Sequence, residues 1–247
     1  MTILLDADFI LYKAAAGCET EVDFGDDIIV VSSRFSDLQR TLEWEFTKIE
    51  NFLGEQDIVL FFSDSKNFRK DIFPDYKGHR NRKKPCGYRR AIDWLTEDFR
   101  VIRLPTLEAD DALGIYATNP DAADAGFPDP IIVSPDKDMR QIPGHLWDLT
   151  SDDTVEITEE EGRRWHLIQS LAGDQTDGYA GCPGIGVKRA VALFEKHGYT
   201  WDTVVQAFIN AELTEEDALR NARLAKILTF DYYNLDTAEP TLWTPEP

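Results

Sequence analysis

The chain has 247 residues, 43% of them hydrophobic, enough for one large core or two small ones and too many for a disordered chain. No run approaches the roughly 18 apolar residues of a membrane span, and MTILLDADF carries acids where an export signal needs a basic and then an apolar segment, so neither membrane insertion nor export is expected. The net charge of −20, taken alone, argues against nucleic acid as a partner.

That average hides an asymmetry. KNFRKDIFPDYKGHRNRKKPCGYRR (66–90) holds ten Lys or Arg against Asp71 and Asp75, a net of +8, which leaves −28 on the other 222 residues. Such a segment is either a localised anion-binding element or an internal counter-charge. Cys18, Cys86 and Cys182 are odd in number and lack C-x-x-C pairing, so no disulfide framework or zinc knuckle is expected and a reducing cytoplasm fits.

In chain order, ILLDADF (3–9) predicts a short buried strand running into acids, and DIIVVSS (27–33) a second strand. Between Arg34 and Leu53 apolar residues recur every three or four places, the pattern of an amphipathic helix. IVLFFSDS (58–65) predicts a strand ending in Ser and Asp, followed by the basic segment, broken by Pro74, Gly78, Pro85 and Gly87. A helix over 88–99, a strand over 101–105, a helix in LEADDALGIYA (107–117) and a strand in PIIVSPDKD (130–138) follow. Continuous apolar strands alternating with helices indicate an α/β fold with a mostly parallel central sheet flanked by helices. From about Glu159 the pattern is all-helical, including a helix across EEDALRNARLAKILTF (215–230), so the expected domains are 1–158 and 159–247.

The acids lie where a site in such a sheet would be. Three strands run into Asp6, Asp64, and Asp136 with Asp138, at the carboxyl ends that hold ligands in open α/β folds. In LEADDALG, Glu108 and Asp111 share a helix face and Asp110 does not; the three converge only if 105–108 is a non-helical lead-in. Helix-terminal amides alone do not compensate so many carboxylates, whereas Mg²⁺ or Mn²⁺ would. Two such ions ~4 Å apart are suited to phosphodiester hydrolysis. The four histidines show no ligand spacing, and there is no nucleophilic Ser or Cys motif. In LAGDQTDGYAGCPGIGVKRAVALF (171–194), Gly184 and Gly186 precede a helix whose amides, with Lys188 and Arg189, suit a phosphate, while Asp174 and Asp177 stand just before them.

These stretches together resemble the flap endonuclease and 5′-to-3′ exonuclease family, in particular bacteriophage 5′ exonucleases of the T7 type. The matching segments, LLDADFILYKAA, VLFFSDSKNFRKDIFPDYKGHR, LEADDALG, IIVSPDKDMRQI and LAGDQTDGYAGCPGIGVKRA, occur in family order over most of residues 1–195. The resemblance implies metal ligands at Asp6, Asp64, Glu108, Asp110, Asp111, Asp136, Asp138, Asp174 and Asp177, with two or more Mg²⁺, replaceable by Mn²⁺. It implies catalytic roles for Asp6, Asp111, Lys77 and Arg80, the last two at the base of an arch or gateway formed by 66–90. DNA contacts are implied at Lys77, Arg80, Arg82, Lys83, Lys84, Gly184, Gly186, Lys188 and Arg189. The glycine turn matches a helix-three-turn-helix motif that grips duplex backbone and can hold K⁺. The implied substrates are DNA 5′ ends, nicks, gaps and flaps, and RNA–DNA hybrids, in a bacterial host cytoplasm; the implied activity is metal-dependent 5′–3′ exonuclease and flap endonuclease. No protein partner is indicated.

Departures from the family pattern are specific. Asp6-Ala7-Asp8 leaves the role of Asp8 open. FSDS stands where F-D-G is usual, which places Asp64 one residue out of register. The segment between Lys66 and Arg90 is short for a long helical arch. Two rival readings start from the same residues: a haloacid-dehalogenase-type phosphatase using DADF, and a non-catalytic binder of branched DNA.

Overall fold

The computed structural model of the chain describes residues 1–80 and 83–245. β1 (Thr2–Asp6) leads into α1 (Ala7–Gly17), a hairpin of β2 (Glu19–Asp23) and β3 (Ile29–Ser33), and α2 (Phe35–Leu53). β4 (Asp57–Phe61), the short α3 (Arg69–Ile72), α4 (Tyr88–Asp98), β5 (Arg100–Ile102), α5 (Ala109–Ala117) and β6 (Pro130–Ser134) follow. A 3-10 turn at Lys137–Gln141 precedes β7 (Gly144–Asp148) and β8 (Asp153–Ile157). The remainder holds α6 (Glu159–Ala172), the two-residue pair β9 (Gly173–Asp174) and β10 (Tyr179–Ala180), α7 (Val187–His197), α8 (Trp201–Asn210), α9 (Glu215–Ala225), and the pair β11 (Tyr233–Asn234) and β12 (Glu239–Pro240).

Six strands form the central sheet in the order β5-β4-β1-β6-β7-β8. β5 through β7 are parallel, and β8 returns antiparallel along β7. Because strand side chains alternate, β1 sends Ile3 and Leu5 into one core and Leu4 into another. The first core packs against α1, α2 and α4, through residues such as Leu11, Leu42 and Leu95; the second packs against α5 through Ala112 and Leu113. The chain crosses from β1 to β4 on one side and reaches β6 on the other, so a crevice opens at the carboxyl ends of these strands.

Four features differ from the sequence reading. The strand expected over 27–33 lies outside the central sheet, paired with β2 in an exposed hairpin. Gly25, Asp26 and Asp27 all have positive φ, so the chain turns back on itself there. β2, β7, β8 and, in the part read as all-helical, the two-residue pairs β9–β10 and β11–β12 were not expected; β7 and β8 are short and carry polar residues, with β8 at the sheet edge, so the periodicity signal there is weak. The strands expected over 58–65 and 130–138 stop at Phe61 and Ser134. After Ser134 the chain passes Pro135 and Asp136 caps the 3-10 turn.

The fourth difference concerns the helix expected over 215–230, which ends at Ala225. Residues 226–228 leave it and re-enter the second core, where Ile227 packs. The Ile227 amide donates to Gln141 Oε1 at 3.1 Å, and the Leu228 amide to Asp111 Oδ1 at 3.1 Å. Gly114 permits the approach, since a Cβ there would lie 2.3 Å from the Leu228 carbonyl oxygen. Backbone donors captured by side chains about a hundred residues away outweigh local helix propensity.

Candidate active site

The crevice holds an open cavity of about 790 Å³ whose walls carry Asp6, Asp8, Glu108, Asp110, Asp136, Asp138 and Asp177. Each acid is aimed by the end of an element. Asp6 is the last residue of β1 and the N-cap of α1; it accepts from the Phe9 amide at 3.3 Å and from Ser134 Oγ at 2.9 Å. Asp136 caps the 3-10 turn by accepting from the Asp138 amide at 2.8 Å. Glu108 has extended backbone, φ −81° and ψ 162°, and caps α5. The lead-in to α5 is thus non-helical, and Glu108 and Asp110 reach the same cavity.

Electrostatics mark the crevice as a place of uncompensated charge. Burial, reinforced by Asp8 and Asp136, pushes the Asp6 carboxyl up to about 7. Asp110 is pushed well up by burial and by Asp136, Asp6 and Glu108, and makes no hydrogen bond among the described residues. Asp138 is raised by burial and Asp136. Burial also works against Glu108, but Lys77 and Arg69 outweigh it and hold that carboxyl at about 2.

Two lysines stand among the acids. Lys77 pairs with Glu108 and, at 3.5 Å, with Asp177; Arg80 pairs with Asp177 at 2.7 Å. Lys137 bridges Asp138 and Asp174, each at 3.0 Å. Among the described residues no three acidic, His or Cys side chains are gathered into a ready coordination group. The donor set nevertheless fits hard divalent cations: it is all carboxylate, and its members raise one another's affinity for positive charge.

Three of the nine expected ligands, Asp64, Asp111 and Asp174, do not line the cavity; Asp174 stands beside it, joined to Asp138 through Lys137. Asp111 points into the interior and is gripped by Arg69 through both oxygens, at 2.6 and 2.7 Å, with neither side chain exposed beyond 1%. Its remaining acceptors serve the amides of Leu228 and Glu108. Arg69 also donates to the Leu224 and Lys226 carbonyls, so one ion pair joins α3, α5 and the end of α9. Asp64 instead organises the loop beside β5, accepting from the amides of Ser65 at 2.7 Å and Thr106 at 2.9 Å.

At the end of β4 the residue facing the cavity is Ser63, one place before Asp64, as the F-S-D-S departure suggests. The Asp8 carboxylate lies there, accepting from the Ser63 amide at 2.7 Å and the Tyr88 hydroxyl at 2.6 Å. Tyr76, which sequence reading did not single out, has its hydroxyl 3.0 Å from Glu108 and 2.8 Å from Asp177, so its one proton is shared between the two carboxylates. Tyr76 and Lys137 lie inside segments already matched, but the partners that give them a role here, Glu108 and Asp177 for Tyr76 and Asp174 for Lys137, lie tens of residues away.

Of the remaining expected contacts, Lys84 lies over the Tyr88 ring at the cavity wall and Lys83 is exposed beside it; Arg82 falls outside the described residues. Gly184 has φ +75° and Gly186 precedes α7. Lys188 is exposed, whereas Arg189 turns back to donate to the Gly184 carbonyl at 2.6 Å.

A mostly parallel sheet with acids at its carboxyl edge and a cationic rim is the setting of a phosphate-handling site, and the chain belongs to the 5′-3′ exonuclease family of phosphodiester-hydrolysing nucleases, whose N-terminal resolvase-like domain matches residues 1–164. It is 31% identical to the exodeoxyribonuclease of Enterobacteria phage T3 and 32% identical to the exonuclease of Escherichia phage T7. Both alignments cover 98% of this chain, and 92% and 93% of those proteins. The fold is also that of a phage T5 protein co-crystallised with metal ions, with a TM-score of 0.67 at 15% identity over 94% of this chain and 90% of that one. T5 5′-exonuclease with divalent zinc bound gives a TM-score of 0.65 with the same coverage and identity. The phosphatase and non-catalytic readings are thereby set aside. Among the described residues no helix is long and apolar enough to cross a membrane.

Proposed function

We propose that this 5′-3′ exonuclease is divalent-metal-dependent and structure-specific, cutting DNA near 5′ ends, nicks, gaps and flaps and accepting RNA–DNA hybrids. The observation that carries the reading is the convergence of Asp6, Glu108, Asp110, Asp136, Asp138 and Asp177 on one open crevice beside Lys77 and Arg80. Asp6, Glu108, Asp110, Asp136 and Asp138 would hold the catalytic Mg²⁺ or Mn²⁺, with Asp174 and Asp177 as an outer pair. A divalent ion held by these carboxylates would contribute water activation and charge stabilisation to phosphodiester hydrolysis.

The chain's own groups do the rest. Ser134 orients Asp6, and the Glu108 cap orients the start of α5. Lys77 and Arg80 stand at the cavity mouth, where they offset Glu108 and Asp177 and can reach a phosphate, so they serve as transition-state clamps. Asp111 acts on the site through Arg69 and the packing of α5, and is not a ligand in this proposal. Lys83 and Lys84 extend the cationic rim along the path of a strand; Arg82, which lies outside the described residues, is proposed as a further DNA contact from the family resemblance alone.

Residues 1–158 form the nuclease unit in this reading, with 66–90 as a short clamp. Residues 159–247 grip duplex, using the loop between α6 and α7 as a helix-three-turn-helix motif with Lys188 on the phosphates. A K⁺ at that turn would have to displace the Arg189 guanidinium from the Gly184 carbonyl. The deciding experiment is digestion of 5′-labelled duplex, flap, RNA–DNA and circular substrates side by side. Cleavage near 5′ ends in Mg²⁺ and none in EDTA is expected; full activity after exhaustive chelation would end the metal proposal.

A further inference from the structure

A second cavity, of about 600 Å³, lies away from the crevice and shares no wall residue with it. It opens between α6, the α7–α8 junction, the segment after α9 and the C-terminal strand-like tail. Its volume is within the range of small-ligand sites. Trp201 and Trp243 form one wall, their rings 5.2 Å apart and at 63° to each other. The tail is held in place here, since Arg223 donates to the Trp243 carbonyl at 3.1 Å and Trp243 packs edge-on to the buried His166 at 5.0 Å.

Among the described residues neither cation of the lining, Lys226 or Arg163, pairs with a carboxylate. Lys226 is half-buried and its ammonium has no hydrogen bond or ion pair among the described residues; it lies only over the Tyr232 ring, at 5.2 Å. Burial pulls this amine down to about 8, against the opposing pull of Asp111, which is what a cation without a near counter-ion does. Arg163, on the same wall, donates among the described residues only to the Tyr199 carbonyl at 3.4 Å and has no carboxylate partner there. A recessed cation without a partner is costly unless something anionic is to meet it.

The acids in the lining, Glu159 and Asp231, are both exposed. A ligand with one anionic end therefore fits with that end between the recessed Lys226 and the exposed Arg163 and its flat ring against the tryptophans. A strand carrying further phosphates outward would meet Glu159 and Asp231. We propose that this cavity binds a free nucleoside monophosphate, base on Trp201 and Trp243 and phosphate on Lys226 and Arg163. The choice of a nucleotide among aromatic anions rests on the nuclease reading above, whose product class it matches; the cavity and its cations do not.

The test is calorimetric titration of the full chain in EDTA, where no cleavage occurs, with dAMP, adenosine, inorganic phosphate and a short 5′-phosphorylated oligonucleotide. One dAMP site per chain is expected, with adenosine and phosphate each binding at least about tenfold more weakly, because each forfeits one half of the contacts. Lys226→Met and Arg163→Gln should each weaken dAMP about tenfold or more with unchanged circular dichroism, and Lys77→Ala should not. Arg163 is exposed, so its variant keeps the test valid even if Lys226→Met unfolds. Absence of saturable dAMP binding up to about 5 mM, a concentration above weak millimolar affinity, overturns the proposal. So does binding abolished by Lys77→Ala but not by Arg163→Gln, which would place the nucleotide in the crevice. Tighter binding of the oligonucleotide through Arg163 would make a strand end the occupant and overturn the free-nucleotide assignment. Because no metal or turnover is involved, a failure of the nuclease reading in Mg²⁺ leaves this measurement standing.

Discussion

Replacing Asp111 by Asn tests the placement of the acids most directly. If Asp111 were a metal ligand, the variant would fold normally and lose turnover. In the structure it is the counter-ion of Arg69, whose side chain is fully buried and whose guanidinium has two backbone carbonyls and Glu108, at 3.5 Å, as its other partners. Asn keeps the shape but leaves a buried cation without its bidentate partner, and breaking a buried pair from one side costs about 3–5 kcal/mol. That is a large part of the roughly 5–15 kcal/mol that holds a domain folded. For a chain of this length about 2–4 °C is lost per kcal/mol, so the melting temperature should fall by about 6–20 °C. Thermal and urea unfolding followed by circular dichroism measure this. The Mg²⁺ concentration for half-maximal activity, assayed well below the melting range, should stay within about twofold. The double variant Arg69→Met, Asp111→Leu should recover part of the loss, since an apolar pair removes the stranded charge. A wild-type melting curve combined with a raised Mg²⁺ requirement in Asp111→Asn would refute the argument.

Lys77→Ala and Arg80→Ala should slow the chemical step in single-turnover assays and flatten the slope of log affinity against log salt by nearly one per lost phosphate contact, whereas Lys188→Ala should mainly raise the dissociation constant for duplex. Unchanged slopes and rates with a lowered melting temperature would make Lys77 and Arg80 internal counter-charges only. His166 is buried, hydrogen-bonded through Nε2 to the Ala222 carbonyl, and depressed to about 3 by burial and by Lys226. Its folded pKa lies below the unfolded value, so its contribution is complete above about pH 6.5 and is lost as pH falls toward 3, by about 1.4 kcal/mol per unit. Urea midpoints compared between pH 7 and 5 should show this component, and His166→Gln should remove it. Gly114→Ala should destabilise by about 1–3 kcal/mol, because its Cβ would collide with the Leu228 carbonyl oxygen. Hydrogen exchange should then show faster exchange at the Ile227 and Leu228 amides; wild-type protection there would discount the close approach.

The alternation of apolar strands with helices was enough to read the parallel sheet and the gathering of acids at its carboxyl edge. Both follow from local rules: Ile3 to Leu5 are apolar throughout because both faces of β1 are covered, and a strand end is where the chain can turn a carboxylate into a crevice. The extended backbone of Glu108 was also legible, as the geometric condition for its meeting Asp110. Tertiary structure decided which acids face that crevice. Asp110 and Asp111 are adjacent and chemically alike, yet one faces the cavity and the other the core, because Arg69, 42 residues earlier, buries its guanidinium against Asp111. No period or motif encodes that pair. The same holds for Ser63 facing the site in place of Asp64, and for α9 ending at Ala225 in a stretch with a continuing helical pattern. In each case a partner distant in sequence takes a hydrogen bond or a charge that local propensity, worth tenths of a kcal/mol per residue, is too weak to keep.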